Sequence, residues 1–259
     1  MTVAELRESP GETAASSVER FELETWRTRY GIVAGITSRT ADFTLNGAPP
    51  TGTAAASWEA LGHEFARDFP AVVVGYQSHG TAVLTHQAVS SPWTAWPDVD
   101  GHVTGERGLL LAVTVADCVP VYLAVPDRPV VGLLHAGWRG LAAGIIEAGV
   151  AAIRMLSEPS SDAIVSHCGI AICGDCYEVG PEVVLQVKGE RATGPSRLDL
   201  REQILARLGR LGVADTTSSP WCTVHDGSRF HSHRGSHGRA GRMLAYVGMP
   251  SLDPASTSR

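Results

Sequence analysis

Three short segments carry side chains able to bind a metal or move a proton. Gln77-Ser78-His79-Gly80 sets a histidine after an apolar run, with a glycine that lets the backbone turn closely beside it. Ala116-Asp117-Cys118-Val119-Pro120 puts an acid and a thiol inside an otherwise apolar stretch, where a carboxylate without partners would be costly. His135-Ala136-Gly137-Trp138-Arg139-Gly140 lies between a strand-like and a helix-like run, a place where free amides and Arg139 could hold an anion. Each segment also has a plainer reading. His79 could be an ordinary hydrogen-bonded histidine, Cys118 a small hydrophobe in a turn, and the third segment a strand-to-helix connection.

Pooled, two imidazoles and a thiolate from His79, Cys118 and His135 make a zinc donor set that leaves one tetrahedral position open, the pattern of catalytic sites. Their separations along the chain match no local zinc spacing, so spacing alone supports this weakly. The same donors suit copper if a weak axial methionine is near, with Met155, Met243 and Met249 as candidates, and Cys118 paired with His135 could instead be a nucleophile. Cys173-Gly174-Asp175-Cys176 has the CxxC spacing of redox and zinc sites, but no second CxxC accompanies it and it reads as fortuitous. In the cluster of His225, His231, His233, Arg234 and His237, Arg234 is the functional candidate, its guanidinium suited to an anionic or polar substrate group.

The elements that must position these residues follow from periodicity. Runs 30–37, 71–77, 109–116, 119–125, 130–134 and 163–172 are short, apolar and bounded by Gly, Pro or Asp, which predicts strands. Several are continuously apolar rather than alternating, so both faces should be buried and layers should lie on either side of the sheet. Residues 138–156 have mostly helical spacing with Pro159 beyond, and a second helix should open at Asp199, where Glu202 completes a capping-box pattern. Residues 92–101, with Trp93 and Trp96, read as a loop whose aromatics pack it down; 221–224 and 242–247 read as returning strands.

Composition narrows the class. The chain of 259 residues is 44% hydrophobic and 19% charged, enough to bury a core without disulfides. Its net charge of -6, with 21 basic residues of which only Lys188 is lysine and no basic run, argues against nucleic acid as a partner. The longest apolar stretch, 108–125, is interrupted by Asp117 and Pro120 and is a poor bilayer span, so no membrane is expected. Residues 1–20 lack the apolar core of a secretory signal, which points to a cytoplasmic protein, and the five cysteines read as thiols or metal ligands. Residues 1–20 and 251–259 are expected to be disordered, with one catalytic domain over 21–250.

The strings QSHGTAV, TVADCVPVYL, HAGWRG, CYEVG and FHSHR, in this order between about Gly31 and Gly248, resemble the multicopper polyphenol oxidase or laccase-domain family. The resemblance implies an α+β fold of mixed sheets flanked by helices, and metal ligands at His79, Cys118 and His135. It further implies zinc-dependent phosphorolysis of purine nucleosides (adenosine, inosine, methylthioadenosine) with phosphate, and adenosine deaminase activity. Arg39, Arg139, Glu178 and Arg234 are then the expected substrate contacts, Arg39 from a Thr37-Ser38-Arg39 segment whose usual following glycines are Ala41 and Asp42 here. Alternatives attached to relatives are a copper-dependent polyphenol oxidase and a Cys/His amide hydrolase that edits peptidoglycan precursors. Only one His-x-His, at His231 and His233, is present, too few for a true laccase.

Overall fold

Side-chain alternation along the central strands builds the layers. In the strand Val119–Val125, Val119, Val121, Leu123 and Val125 face one way and Tyr122 and Ala124 the other. The first set packs against Ile145, Ile146, Val150 and Ile153 of helix Ile145–Ser157 and against Ile204 and Leu208 of helix Leu200–Arg210. The second set meets an opposite sheet through Ile36, Val73, Leu111, Val113, Ala245 and Val247. On that sheet Leu110, Ala112, Leu244 and Tyr246 turn outward, beneath Trp58, Leu61 and Phe65 of helix Gly52–Phe65. The result is a helix–sheet–sheet–helix sandwich of the α+β class, and it explains why the strand sequences are apolar on both sides. The computed structural model behind this description covers residues 4–11, 18–87, 91–157, 163–213 and 215–252.

Among the described residues each of these two sheets has seven strands. One runs in the order Ala4–Glu5, Asp215–Ser218, Val165–Cys168, Val119–Val125, Val130–Ala136, Gly101–Thr104, Val83–His86. The other runs Ser9–Pro10, Arg20–Glu22, Val33–Thr37, Met243–Gly248, Leu109–Val115, Ala71–Tyr76, Trp93–Pro97. Chain crossing between the sheets at 116–118 joins Leu109–Val115 to Val119–Val125, and this corner carries Cys118. Tyr122 Oη donates to Gly35 O at 2.9 Å across the core, tying one sheet to the other.

Several sequence expectations change. The single helix expected over 138–156 is two, Trp138–Ala143 and Ile145–Ser157, because Gly144 takes φ 103° and its amide caps the first on Gly140 and Leu141 carbonyls. Pro159 lies outside the described residues. The loop expected over 92–101 contains the edge strand Trp93–Pro97, paired in parallel with Ala71–Tyr76 from Val72↔Trp93 to Tyr76↔Pro97. Of its two tryptophans, Trp93 packs down, edge-on to Trp58 at 5.9 Å, while Trp96 is exposed. The strand expected at 221–224 reduces to one bridge, Ala171↔Cys222, since Cys222 N donates to the Asp226 carboxylate at 3.1 Å and Asp226 N returns to Cys222 O at 2.8 Å, closing a turn. The helix expected from Asp199 forms as Leu200–Arg210, with the Asp199 carboxylate accepting from Arg201 N at 2.8 Å and Glu202 N at 3.4 Å.

The segment expected to be disordered, 1–20, carries two short paired strands where it is described. Ala4–Glu5 pairs with Thr217 and Ser218, and Ser9–Pro10 with Phe21 and Glu22. Glu8 is buried, accepting from Ser219 Oγ at 2.6 Å and hydrogen-bonded to His167 Nε2 at 3.0 Å. Residues 1–3, 12–17 and 253–259, which include most of the expected C-terminal tail, lie outside the described residues. No helix among the described residues is long and apolar enough to cross a membrane.

Candidate metal centre

His79 follows strand Ala71–Tyr76, Cys118 precedes Val119–Val125, and His135 sits near the end of Val130–Ala136, so strand ends from both sheets deliver the three donors. Their ligand atoms lie within 4.8 Å of one another. Cys118 Sγ is 3.9 Å from His79 Nε2, and the two imidazole rings meet edge to face at 4.7 Å. Backbone strain marks both approaches: His79 has φ 62° and Asp117, beside Cys118, has φ 87°. Gly137 makes room for the cluster, since a Cβ there would come within 2.8 Å of His79 Cδ2 and 3.0 Å of Cys118 Sγ.

Asp100, fully buried, holds this geometry. Its carboxylate accepts from Ser78 N at 3.1 Å, His79 N at 3.0 Å and Gly80 N at 2.8 Å, which compensates the strained turn at His79. It also accepts from His135 Nδ1 at 2.7 Å, while its backbone carbonyl accepts from His135 N at 2.7 Å. An ionised carboxylate can only accept, so Nδ1 carries the proton and Nε2 is left to face Cys118. Burial opposes the Asp100 charge, but the His135 hydrogen bond and charge, with the Gly80 and Ser78 amides, hold its pKa at about 2. Burial likewise opposes ionisation of Cys118 and His135. Their mutual attraction, with Asp100 behind His135 and His79 beside Cys118, brings the thiol down to about 6 and the imidazole up to about 9 in the metal-free protein.

Asp117 finds the partners that its burial demands. It accepts from Thr223 Oγ1 at 2.5 Å, Ser232 Oγ at 2.7 Å and Arg234 N at 2.6 Å, fastening the loop after Trp221 to the Cys118 corner. Above the three donors opens a cavity of about 470 Å³ that also touches Gln77, Tyr177, Arg139, His233, Arg234 and Arg242. The Arg139 guanidinium lies 4.4 Å from the Trp138 ring centre, and that of Arg234 lies 5.0 Å from the Tyr177 ring with Nη1 donating to Glu178 O at 2.8 Å.

Of the expected site residues, His79, Cys118, His135, Arg139 and Arg234 are brought together around this cavity. Arg39 and Glu178 are not among the residues lining it. Arg39 donates through Nη1 to Gly227 O and through its amide to Arg229 O, holding the loop that carries Ser232 and Arg234, while Glu178 offers its backbone carbonyl to Arg234. Sequence reasoning missed Asp100, which fell in the segment read as a loop, and gave no role to His233. It also set aside Cys173 and Cys176, whose side chains the fold gathers with Cys222 and His225 into a second group of four donors within 4.8 Å.

The donors fit a metal ion. Two imidazoles, one thiolate already favoured as the anion, a carboxylate orienting one imidazole and a glycine sparing their space are what a three-ligand site needs. Residues 49–250 match the family model of the multi-copper polyphenol oxidoreductase laccases. The chain belongs to this family. Within it, a Streptomyces griseus protein named purine nucleoside phosphorylase ORF3 is 41% identical over 181 residues, covering 66% of this chain and 71% of its own. A Streptomyces coelicolor protein named purine nucleoside phosphorylase SCO2081 is 39% identical over 207 residues, covering 76% of this chain and 82% of its own. The crystal structure of YlmD from Geobacillus stearothermophilus superposes with a TM-score of 0.80 at 29% identity, covering 93% of this chain and 98% of that one. The laccase-family fold therefore extends over nearly the whole chain.

Proposed function

We propose that the chain is a zinc-dependent purine nucleoside phosphorylase acting on adenosine, inosine or methylthioadenosine, with adenosine deamination as a second activity. The observation that carries the reading is the convergence of His79, Cys118 and His135 at a cavity also reached by Arg139, Arg234 and Arg242. The names of the two Streptomyces relatives support the substrate class. Zinc bound by the three donors would supply a Lewis acid without redox chemistry.

In phosphorolysis a phosphate oxygen bonds to the ribose C1′, the bond from C1′ to the base nitrogen breaks, and its electron pair leaves with the base, which takes up a proton. Anionic charge must be held before the step and released after it. Arg139 and Arg234 suit the phosphate, because stacking on Trp138 and Tyr177 fixes the guanidinium planes before a ligand arrives. Arg39 and Glu178 act one step back in this reading, positioning the loop and Arg234. Copper chemistry has less support: Met243 and Met249 are buried in the inter-sheet core and Met155 is 86% exposed, so none of the three supplies an axial ligand at the cavity.

A second reading has its own observation. Asp100, His135 and Cys118 form a relay in which the carboxylate orients the imidazole and the imidazole favours the thiolate, the arrangement of a cysteine hydrolase. Zinc-free wild-type protein, compared with Cys118→Ser, separates the two. The metal reading expects Cys118→Ser to lose bound zinc and nucleoside conversion together. The nucleophile reading expects zinc-free wild-type protein to hydrolyse amides and Cys118→Ser to stop doing so.

A further inference from the structure

We infer that Cys173, Cys176, Cys222 and His225 form a second, structural zinc site that fastens the loop bearing Arg234 to the turn bearing Tyr177. The donor atoms of all four lie within 4.8 Å of one another. Cys173 Sγ is 3.8 Å from His225 Nδ1 and Cys176 Sγ is 3.2 Å from His225 Nε2. Tetrahedral zinc, with bonds of ~2.3 Å to sulfur and ~2.0 Å to nitrogen, places neighbouring donors roughly 3.5 to 3.8 Å apart. The cluster is thus already close to the size the ion requires, and either imidazole nitrogen completes it.

The backbone around the donors is arranged for a thiolate cluster as well. Cys173-x2-Cys176 and Cys222-x2-His225 are two tight turns, the first a 3-10 turn closed by Cys176 N to Cys173 O at 3.1 Å, the second closed by Asp226 N to Cys222 O at 2.8 Å. Cys173 N donates to Cys222 Sγ at 3.4 Å. Amide donors of this kind stabilise negative sulfur in the manner of outer-shell partners around metal thiolates. The turns meet through the bridge Ala171↔Cys222, with Thr223 N donating to Ala171 O at 3.1 Å. Three thiols and an imidazole meeting from two turns exceed what one disulfide would use, whereas a Cys3His set fills all four zinc positions and leaves none for substrate.

The position explains the use. Tyr177 follows Cys176 directly and lines the cavity; Thr223 lies between Cys222 and His225 and donates to Asp117 beside Cys118. Arg234 completes the connection by stacking on Tyr177 and donating to Glu178 O. Zinc at the second site would therefore clamp the two segments that fix one wall of the cavity, independently of what reaction occurs there.

Elemental analysis of reduced protein after reconstitution with Zn²⁺ tests the inference. The expected content is two zinc per chain in the wild type, one in Cys118→Ser, and none in Cys118→Ser combined with either Cys176→Ser or His225→Ala. His225 is exposed, so its replacement keeps the test open should a cysteine variant misfold. Cobalt(II) loaded into Cys118→Ser should show sulfur-to-metal charge-transfer absorption that the double variants lose. Thiol titration of native Cys118→Ser should find three thiols shielded with zinc and exposed by a chelator, with zinc released in step. A reduced Cys118→Ser protein that binds no zinc, thiols equally reactive with and without zinc, or zinc content unchanged by both second-site replacements would each overturn it.

Discussion

At the residue scale, Asp100 sets the chemistry of the donors through one imidazole and a set of backbone amides. Through His135 it favours the Cys118 thiolate, and through three amides it holds His79 at a positive φ. Metal-free protein should therefore show Cys118 alkylation by iodoacetamide rising with pH through a midpoint near 6, well below an ordinary thiol, since the thiolate is the nucleophile. Asp100→Asn can keep its carbonyl for Ser78 N and Gly80 N, but its NH2 group then faces His79 N and His135 Nδ1, and the charge behind His135 is removed. His135 is then less readily protonated, Cys118 loses its counter-charge, and the alkylation midpoint should move up. Zinc affinity in the same variant should fall by about 10- to 100-fold, the usual effect of losing an outer-shell carboxylate. An unmoved midpoint and unchanged affinity would reduce Asp100 to a turn-capping role.

At the element scale, the metal centre depends on three strand ends and the helix Trp138–Ala143 approaching closely at one point. Gly137 is the point of contact, and Gly137→Ala would push a methyl into His79 and Cys118. The variant should fold, because the atoms the new methyl meets most closely belong to the His79 and Cys118 side chains rather than to backbone, yet lose most of its zinc at the first site; retention of full zinc would show that the donors can shift aside. These elements differ in how far the sequence discloses them. Val119–Val125 and Leu200–Arg210 were legible because burial on both faces and an Asp cap leave local marks. Trp93–Pro97 was not, since its pairing with Ala71–Tyr76 is a long-range edge contact that local polarity does not encode. Gly144 lies inside the run of helical spacing over 138–156, and only its left-handed φ reveals a break. The first donor triad could be assembled from residue types and a family resemblance. The second could not, because Cys222-x2-His225 lay inside a histidine-rich stretch and its meeting with Cys173-x2-Cys176 is made by the fold.

At the scale of the whole molecule, two sheets and their covering helices form the frame, and the chain corners between the sheets carry the chemistry. Arg139 and Arg234 approach the cavity from opposite parts of the sequence, each stacked on an aromatic ring. Arg139→Met should depress phosphorolysis more than deamination, by about ten-fold or more, since only the first reaction must hold a phosphate. Equal losses in both reactions would assign Arg139 to structure. The most direct test of the account is product analysis of adenosine incubated with zinc-loaded and zinc-depleted protein, with and without phosphate, while oxygen is monitored. The account predicts adenine and ribose 1-phosphate only with phosphate, some inosine without it, both in proportion to zinc restored at His79, Cys118 and His135, and no oxygen consumed. A protein carrying full zinc at these three residues that leaves adenosine, inosine and methylthioadenosine untouched would contradict it.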